Sequence, residues 1–371
     1  MNIRIANRRF WVFSMRTVTA ICIATSSNTN RMESGSLPFI DATAVSNCRI
    51  TEKRRSRTPT VLACAMHGQN LVCVSTRRVS VMSPDTNAQL HTAMPHAAPD
   101  VFAISGLDQY YMLIASARTV FVFDTRAGIV KVLLVVPGGH AMRWLVSAEH
   151  DGGGVYGISC GAGVFTVYAF VHTGSSSRPV EYTTTDIPIP ADMPMPDRHP
   201  ATRVLVFRDA VRGELVVCGG SSVITIDTGT RQARRVAHAS QFFNTFCRVG
   251  ADAVACIPWN GKVSFFSLAD GVFALAAHAK DGLLDRTYPI ECDFDLGTSA
   301  ILVKREASAH NVLLFMYTDE WKCARINTMC PADWRFVWLV DPLVLVTVSA
   351  TMGRGSIDVC DAVVFHEIKQ D

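Results

Sequence analysis

The feature that most constrains this chain is a ladder of aspartates in two registers. Asp108, Asp151, Asp209, Asp252, Asp295 and Asp341 succeed one another at steps of 43 to 58 residues. A second set, Asp124, Asp227, Asp270, Asp319 and Asp361, follows members of the first by 16 to 24 residues. Asp85 stands 18 residues after His67, which takes the first-register place at the head of the ladder. A period of about 40 to 50 residues belongs to repeat architectures, either solenoids or propellers.

The residues between the aspartates separate the two. Helical repeats set apolar residues three and four apart, whereas each period here holds short runs rich in valine, isoleucine, phenylalanine and alanine, divided by turn formers. In the clearest period the runs are 101–107, 110–115, 119–123 and 129–136. The turns between them fall at Asp108-Gln109, Ser116-Ala117-Arg118 and 124–128. We letter these strands a to d. The same grammar recurs through 203–239, 243–280 and 290–329. Counted from Pro59 there are seven such units, the third stretched by Ser175-Ser176-Ser177 and by a proline-rich exit as far as Pro200. The expected fold is therefore all-β, a seven-bladed β-propeller of four-stranded antiparallel blades, in which radial repetition protects the sheet edges. It would occupy residues 44–371, after an extension over 1–43.

Turn chemistry explains the aspartates without invoking ligands. In a meander the a-to-b and c-to-d turns share one end of the sheet, and aspartate suits turns because its carboxylate accepts hydrogen bonds from nearby backbone amides. Cys64 and Cys73 flank one a-to-b turn and Cys247 and Cys256 another, each pair nine residues apart. That spacing predicts cross-strand partners, read as buried thiols that pack as small hydrophobes, with a disulfide as the alternative.

Segments such as Val120-Phe121-Val122-Phe123-Asp124-Thr125 and Val223-Ile224-Thr225-Ile226-Asp227-Thr228 run from strand c into an acidic turn. Through them about 310 residues resemble the WD-repeat and related quinoprotein-like propellers, although Trp-Asp dipeptides are absent and Gly-His occurs once, at Gly139-His140. The resemblance implies a scaffold for protein contacts.

Composition agrees with one large β domain. Hydrophobic residues make up 49% of the 371 and charged ones 18%, as expected where sheets are buried on both faces. The net charge of +3 is too small to indicate a nucleic-acid binder by itself. Arg16 interrupts the first candidate apolar stretch and Asp341-Pro342 the last, so no membrane span is predicted. Twelve cysteines without a Cys-x-x-Cys pair, and the lack of an Asn-x-Ser/Thr acceptor, point to a reducing, intracellular compartment. The cytoplasm is the expected location. The arginine-containing, acid-free residues 1–31 also fit an organelle-targeting segment, unless translation begins at Met32. Lys53-Arg54-Arg55-Ser56-Arg57 reads as a solvated loop, with nuclear import as the alternative. The run 356–368 reads as two short strands or as one long one, and if it is one, the strand-like segment 44–51 is expected to complete the last blade.

Catalytic patterns fail by context. The run 152–157 fits G-x-G-x-x-G and 157–161 fits the nucleophile elbow, but both need a following helix and here a strand follows. No catalytic residue, cofactor or metal site is assigned. The b-to-c loops carry Arg77, Arg78, Arg118, Trp259, Lys304, Arg305 and Arg354. These residues are the candidate binding face, basic and opposite to an acidic aspartate face, suited to an acidic segment of a partner protein. Two alternatives stand beside it. One is an enzyme or small-ligand binder using the central channel, where Asp293 and Asp295 are the densest acidic pair. The other is a nucleic-acid-associated propeller using the same basic face. The chain is expected to act as a monomer or within a hetero-complex.

Overall fold

The computed structural model describes residues 9–15, 18–24, 40–41, 46–68, 70–83, 86, 89–148, 154–175, 179–193, 204–209, 212–249, 253–258, 264–275, 291–292, 295–296, 299–305, 311–317, 321–327, 334–341, 344–351 and 360–370. All the described elements are strands. β1 (Arg9–Met15) and β2 (Val18–Ala24) pair as a hairpin, and β3 (Ile40–Asp41) and β4 (Ser46–Pro59) precede the repeats. The targeting reading of residues 1–31 otherwise lies outside the described residues.

Five four-stranded antiparallel meanders follow in chain order. The first comprises β5 (Ala63–His67), β6 (Asn70–Val74), β7 (Arg78–Met82) and β8 (Gln89–Ala93). The second is β9 (Val101–Gly106), β10 (Tyr111–Ser116), β11 (Thr119–Asp124) and β12 (Ile129–Val135). The third is β13 (Ala141–Ala148), β14 (Gly154–Gly161), β15 (Val164–His172) and β16 (Val180–Pro188). The fourth is β17 (Leu205–Arg208), β18 (Leu215–Gly219), β19 (Ser222–Asp227) and β20 (Gln232–His238). The fifth is β21 (Phe243–Val249), β22 (Ala253–Pro258), β23 (Ser264–Ser267) and β24 (Phe273–Leu275). The remaining strands are β25 (Glu291–Cys292), β26 (Asp295–Leu296), β27 (Ser299–Arg305), β28 (Asn311–Tyr317), β29 (Trp321–Asn327), β30 (Trp334–Asp341), β31 (Val344–Thr351) and β32 (Cys360–Gln370). With β4 they form one continuous sheet, in which two further meanders meet outer strand to outer strand.

First strands of successive sheets lie against one another, β5 on β9, β9 on β13, β13 on β17 and β17 on β21, so strand a is innermost. Each sheet then buries both faces against its neighbours. Between the first two sheets the layer holds Val72, Val74, Ile114, Phe121 and Phe123; between the third and fourth it holds Phe165, Val167, Val217 and Ile224. Double-sided burial explains why β10 and β18 are buried at every position, whereas outer β12 and β20 alternate with solvent. The repeat extends to irregularities. The same β-bulge falls after the second residue of strand c in β11 and in β19, where it twists the outer strand away.

The strand before the first repeat meets the last strand of the chain. β4 runs antiparallel to β32 from Cys48 to Pro59, making it the outer strand of the last meander, and its first residues, Ser46 to Arg49, run parallel to β29. Lys53-Arg54-Arg55-Ser56-Arg57 thus lies in a strand and not in the loop expected for it. Alternation divides the strand, with Ser56 and Thr58 buried and Arg55 and Arg57 exposed. Arg54 donates to the backbone carbonyls of Ser83 and Thr86 in the first sheet, and Ser56 Oγ accepts from Gln89 Nε2 at 2.8 Å. Asp361 departs from the ladder. It is the second residue of β32 and fully buried, at the b-to-c end of its sheet, where its Oδ2 accepts the Val61 amide at 2.7 Å.

His366, also on β32, holds Thr347 Oγ1 at 2.9 Å, and burial lowers its pKa from 6.5 to about 4. The unfolded chain therefore takes up this proton near pH 6.5 while the folded chain resists until about pH 4. Stability is unaffected above that window and falls through it as pH drops, by about 3 kcal/mol for this group. Urea unfolding at pH 7 and pH 4.5 should show a smaller loss for His366→Gln than for the wild type; equal losses would exclude His366 as the cause.

Candidate interaction face

The b-to-c turns are held by backbone hydrogen bonds that repeat from sheet to sheet. The Arg77 carbonyl accepts Met94 N–H at 2.9 Å and the Thr76 carbonyl accepts Ala98 N–H at 2.8 Å. In the second sheet Arg118 O accepts Val136 N–H at 2.9 Å and Ala117 O accepts Met142 N–H at 2.8 Å. In the fourth, Ser221 and Gly220 play the same parts toward Ala239 and Phe243. Each turn is thereby tied to the end of the outgoing strand and to the start of the next sheet or the connection leading into it, which sets all of these turns on one face. Ser116 Oγ and Asp100 Oδ2, accepting Thr119 and Ala117 N–H at 3.0 Å each, secure the second turn further.

This scaffold carries Arg77, Arg78 and Arg118 on neighbouring sheets, all three exposed. Lys304 and Arg305 end β27, so their backbone reaches the same end of its sheet, while their side chains lie outside the described residues. Trp259 and Arg354 also lie outside them. Two residues escaped the sequence reading. Arg143 is the extra residue of a bulge between Met142 and Trp144 at the start of β13, and it is exposed beside the Ala117 turn. Phe242 is 53% exposed against the Gly220 turn and offers an apolar contact on this face. A bulge leaves no mark in hydropathy, and Phe242-Phe243 reads as one buried run.

The opposite face is not simply acidic. Asp108 caps the Tyr110 and Tyr111 amides at 2.7 and 2.8 Å and meets His172 Nδ1 of the next sheet at 2.6 Å. Asp124 caps Arg126 and Ala127 at 3.0 Å each. Asp227 accepts the Thr230 hydroxyl at 2.7 Å as well as two amides, and the Thr230 bonds hold its pKa down. Arg126, stacked 4.0 Å over the Tyr110 ring, stands among these acids with Arg212 and Arg231. The carboxylates there serve the turns. His67 takes the same role sideways, its Nε2 3.0 Å from the Gln109 carbonyl, while burial lowers its pKa.

Neither catalytic pattern survives. Gly154 to Gly161 is one strand, and Ser159 is fully buried at its middle, out of reach of any substrate. Among the described residues no group of three or more His, Cys, Asp or Glu side chains could hold a metal ion, and no helix is long and apolar enough to cross a membrane.

No protein-family model matches the sequence, and no curated protein does. Solved structures do match. A chain of the mitotic checkpoint complex aligns with a TM-score of 0.53 at 11% identity, over 92% of this chain and 98% of that one. The WD40 repeats of RRP9 align with a TM-score of 0.54 at 9% identity, over 86% and 97%. U3-55K gives 0.53 at 9%, over 85% and 98%. The fold is that of a WD-repeat-like β-propeller. Within it Gly139-His140 joins a fourth strand to the next first strand, but His140 Nδ1 is buried with no hydrogen-bond partner among the described residues. On either side of that junction Val136 and Met142 donate their amides to the main chain of the Arg118 and Ala117 turn.

Proposed function

We propose that this propeller is a non-enzymatic protein-interaction scaffold whose b-to-c face docks an acidic segment of a partner. The supporting observation is the set of main-chain bonds that hold Arg77, Arg78 and Arg118 exposed on one face of adjacent blades. Turns fixed by main-chain bonds lose little backbone freedom on binding, and Arg and aromatic residues dominate binding hot spots. Arg143 and Phe242 extend the surface. Five meanders and the two within the continuous sheet are read as seven blades. A carboxylate surface would gain from several cations at once, so the effect of reversal is collective.

The test is partner recovery with Arg77→Glu, Arg118→Glu and Arg305→Glu combined. Recovery should fall at least ~10-fold with thermal unfolding unchanged. Undiminished recovery would overturn the proposal. Recovery of nucleic acid whose affinity falls steeply with salt would replace protein with nucleic acid as the ligand.

A further inference from the structure

The outer strands of the first two sheets carry an apolar stripe that the fold does not require. Of the eight large apolar side chains left exposed among the described residues, four stand on β8 and β12: Leu90 (42%), Ile129 (47%), Val132 (42%) and Val135 (65%). Register places three of them on facing sides. Leu90 pairs with Val81, which packs toward the second sheet, and Val132 pairs with Phe121, which packs toward the first. Val135 pairs with Thr119, two residues before Phe121, and so shares its side. The bulge in β12 makes this possible, because its extra residue, Leu133, lets side chains three apart point the same way. Leu90 reaches the turn before β12, where its Cδ2 would stand 3.2 Å from a Cβ on Gly128, and Thr92 Oγ1 donates to the Gly128 carbonyl at 2.9 Å. From there to Val135 the stripe follows β12 for roughly 20 Å.

The fourth sheet repeats the bulge with other side chains. Arg78, Thr119 and Ser222 are equivalent, since each follows the residue whose carbonyl accepts an amide at or just after the end of the outgoing strand. Counted from them, the places of Val132 and Val135 belong in the fourth sheet to Arg235 and His238, and the place of Leu90 belongs to Lys131 in the second sheet and Arg234 in the fourth. All four of those polar side chains are exposed. Charged groups therefore suit these positions, and aliphatic ones clustered there mark a contact surface. At its Val135 end the stripe meets the candidate interaction face. Arg118 precedes Thr119, and Arg78 lies across from Ala93 at the end of β8, both exposed. The nearby acids serve turns: Asp100 Oδ2 accepts the Ala117 amide at 3.0 Å, and Asp124 accepts those of Arg126 and Ala127.

We propose that the partner segment docked by the b-to-c face is amphipathic, its acids meeting Arg78 and Arg118 and its adjoining large apolar side chains lying along Val135, Val132 and Leu90. The inference rests on the function proposed above and narrows it to partners that bring apolar anchors beside their acids. Burial of aliphatic surface supplies affinity that exposed ion pairs alone lack, while the charges fix which end of the segment lies at the turns.

The probe is a phage-displayed library of random twelve-residue peptides selected against the full chain. Selected peptides are expected to combine acids with large apolar residues. Val132→Arg with Val135→His, which installs the side chains of the fourth sheet, should leave thermal unfolding unchanged and weaken a selected peptide at least ~10-fold in fluorescence anisotropy. Serine in place of that peptide's apolar residues should weaken it as much on the wild type, and this decides the matter if the variant fails to fold. Arg78→Glu with Arg118→Glu should weaken it through the acids. Acidic peptides without apolar residues, lost to the arginine reversal and indifferent to the valine changes, would overturn the stripe while leaving the b-to-c reading intact. Apolar peptides indifferent to the arginine reversal would overturn both. An empty selection would overturn the proposal, as would a dimer of the wild type that the valine changes dissociate, which would give the stripe to a second copy.

Discussion

A chain lacking residues 46–59 should fail to form a stable ring, not merely a shorter one. β4 supplies the outer strand of the last sheet through eleven backbone partners from Cys48 to Pro59, and it binds the first sheet through Arg54 and Ser56. Its removal exposes one side of β32, including Val363 and Phe365, both fully buried, and takes away the strand that leads from the last sheet directly into β5 of the first. Domains are stable by about 5–15 kcal/mol, and the loss of a strand with its seam exceeds that margin. Far-UV circular dichroism and gel filtration should report unfolded or aggregated material. A truncated chain that is monomeric and melts at the wild-type temperature would show that the ring does not depend on β4. Asp361→Ala tests the same seam gently. It leaves the buried Val61 amide without its carboxylate, at about 1–3 kcal/mol.

Gly161→Ala should be the most damaging single methyl addition in the third sheet. A Cβ at that position would stand 2.2 Å from the Gly139 carbonyl oxygen and 2.8 Å from His140 Cα, both main chain and unable to swing aside. The connection between the second and third sheets would have to move, at roughly 3 kcal/mol or more. Gly154→Ala, on the same strand, is the control, since its Cβ would meet nothing closer than 3.5 Å. Urea denaturation of the two variants should differ by at least ~2 kcal/mol. Equal midpoints would mean that the connection yields without cost.

Much of the fold was legible because its determinants are local. The four runs read in the second unit lie within a residue or so of β9 to β12, because alternation and turn residues act over a few positions. Local reasoning stopped where register depended on an exact turn length. Cys64 does oppose Cys73 across a two-residue turn, but Cys247 opposes Ala255, since three residues separate Val249 from Ala253. Cys64 and Cys73 form no disulfide. Cys256 instead sits with Cys218 of the neighbouring sheet, where burial raises the pKa of both and leaves them inert.

The candidate face divides in the same way. Arg77, Arg78 and Arg118 were legible because a b-to-c turn announces itself by its residues. Arg143 was not, because a bulge is settled by how the main chain of one sheet meets the turn of another. Nor was the basic run at 53–57 readable as a strand, since five charges carry no local strand signal and only β32 and the first sheet give them that conformation. By itself the sequence determined the all-β class, the repeat and the end of the sheet at which Asp108, Asp124, Asp209, Asp227 and Asp270 lie. Only the tertiary structure decided bulges, cross-strand partners, the place of Asp361 and the register in which β4 meets β32. Those depend on contacts between residues as far apart as Val61 and Asp361, whose energies no short window of sequence contains.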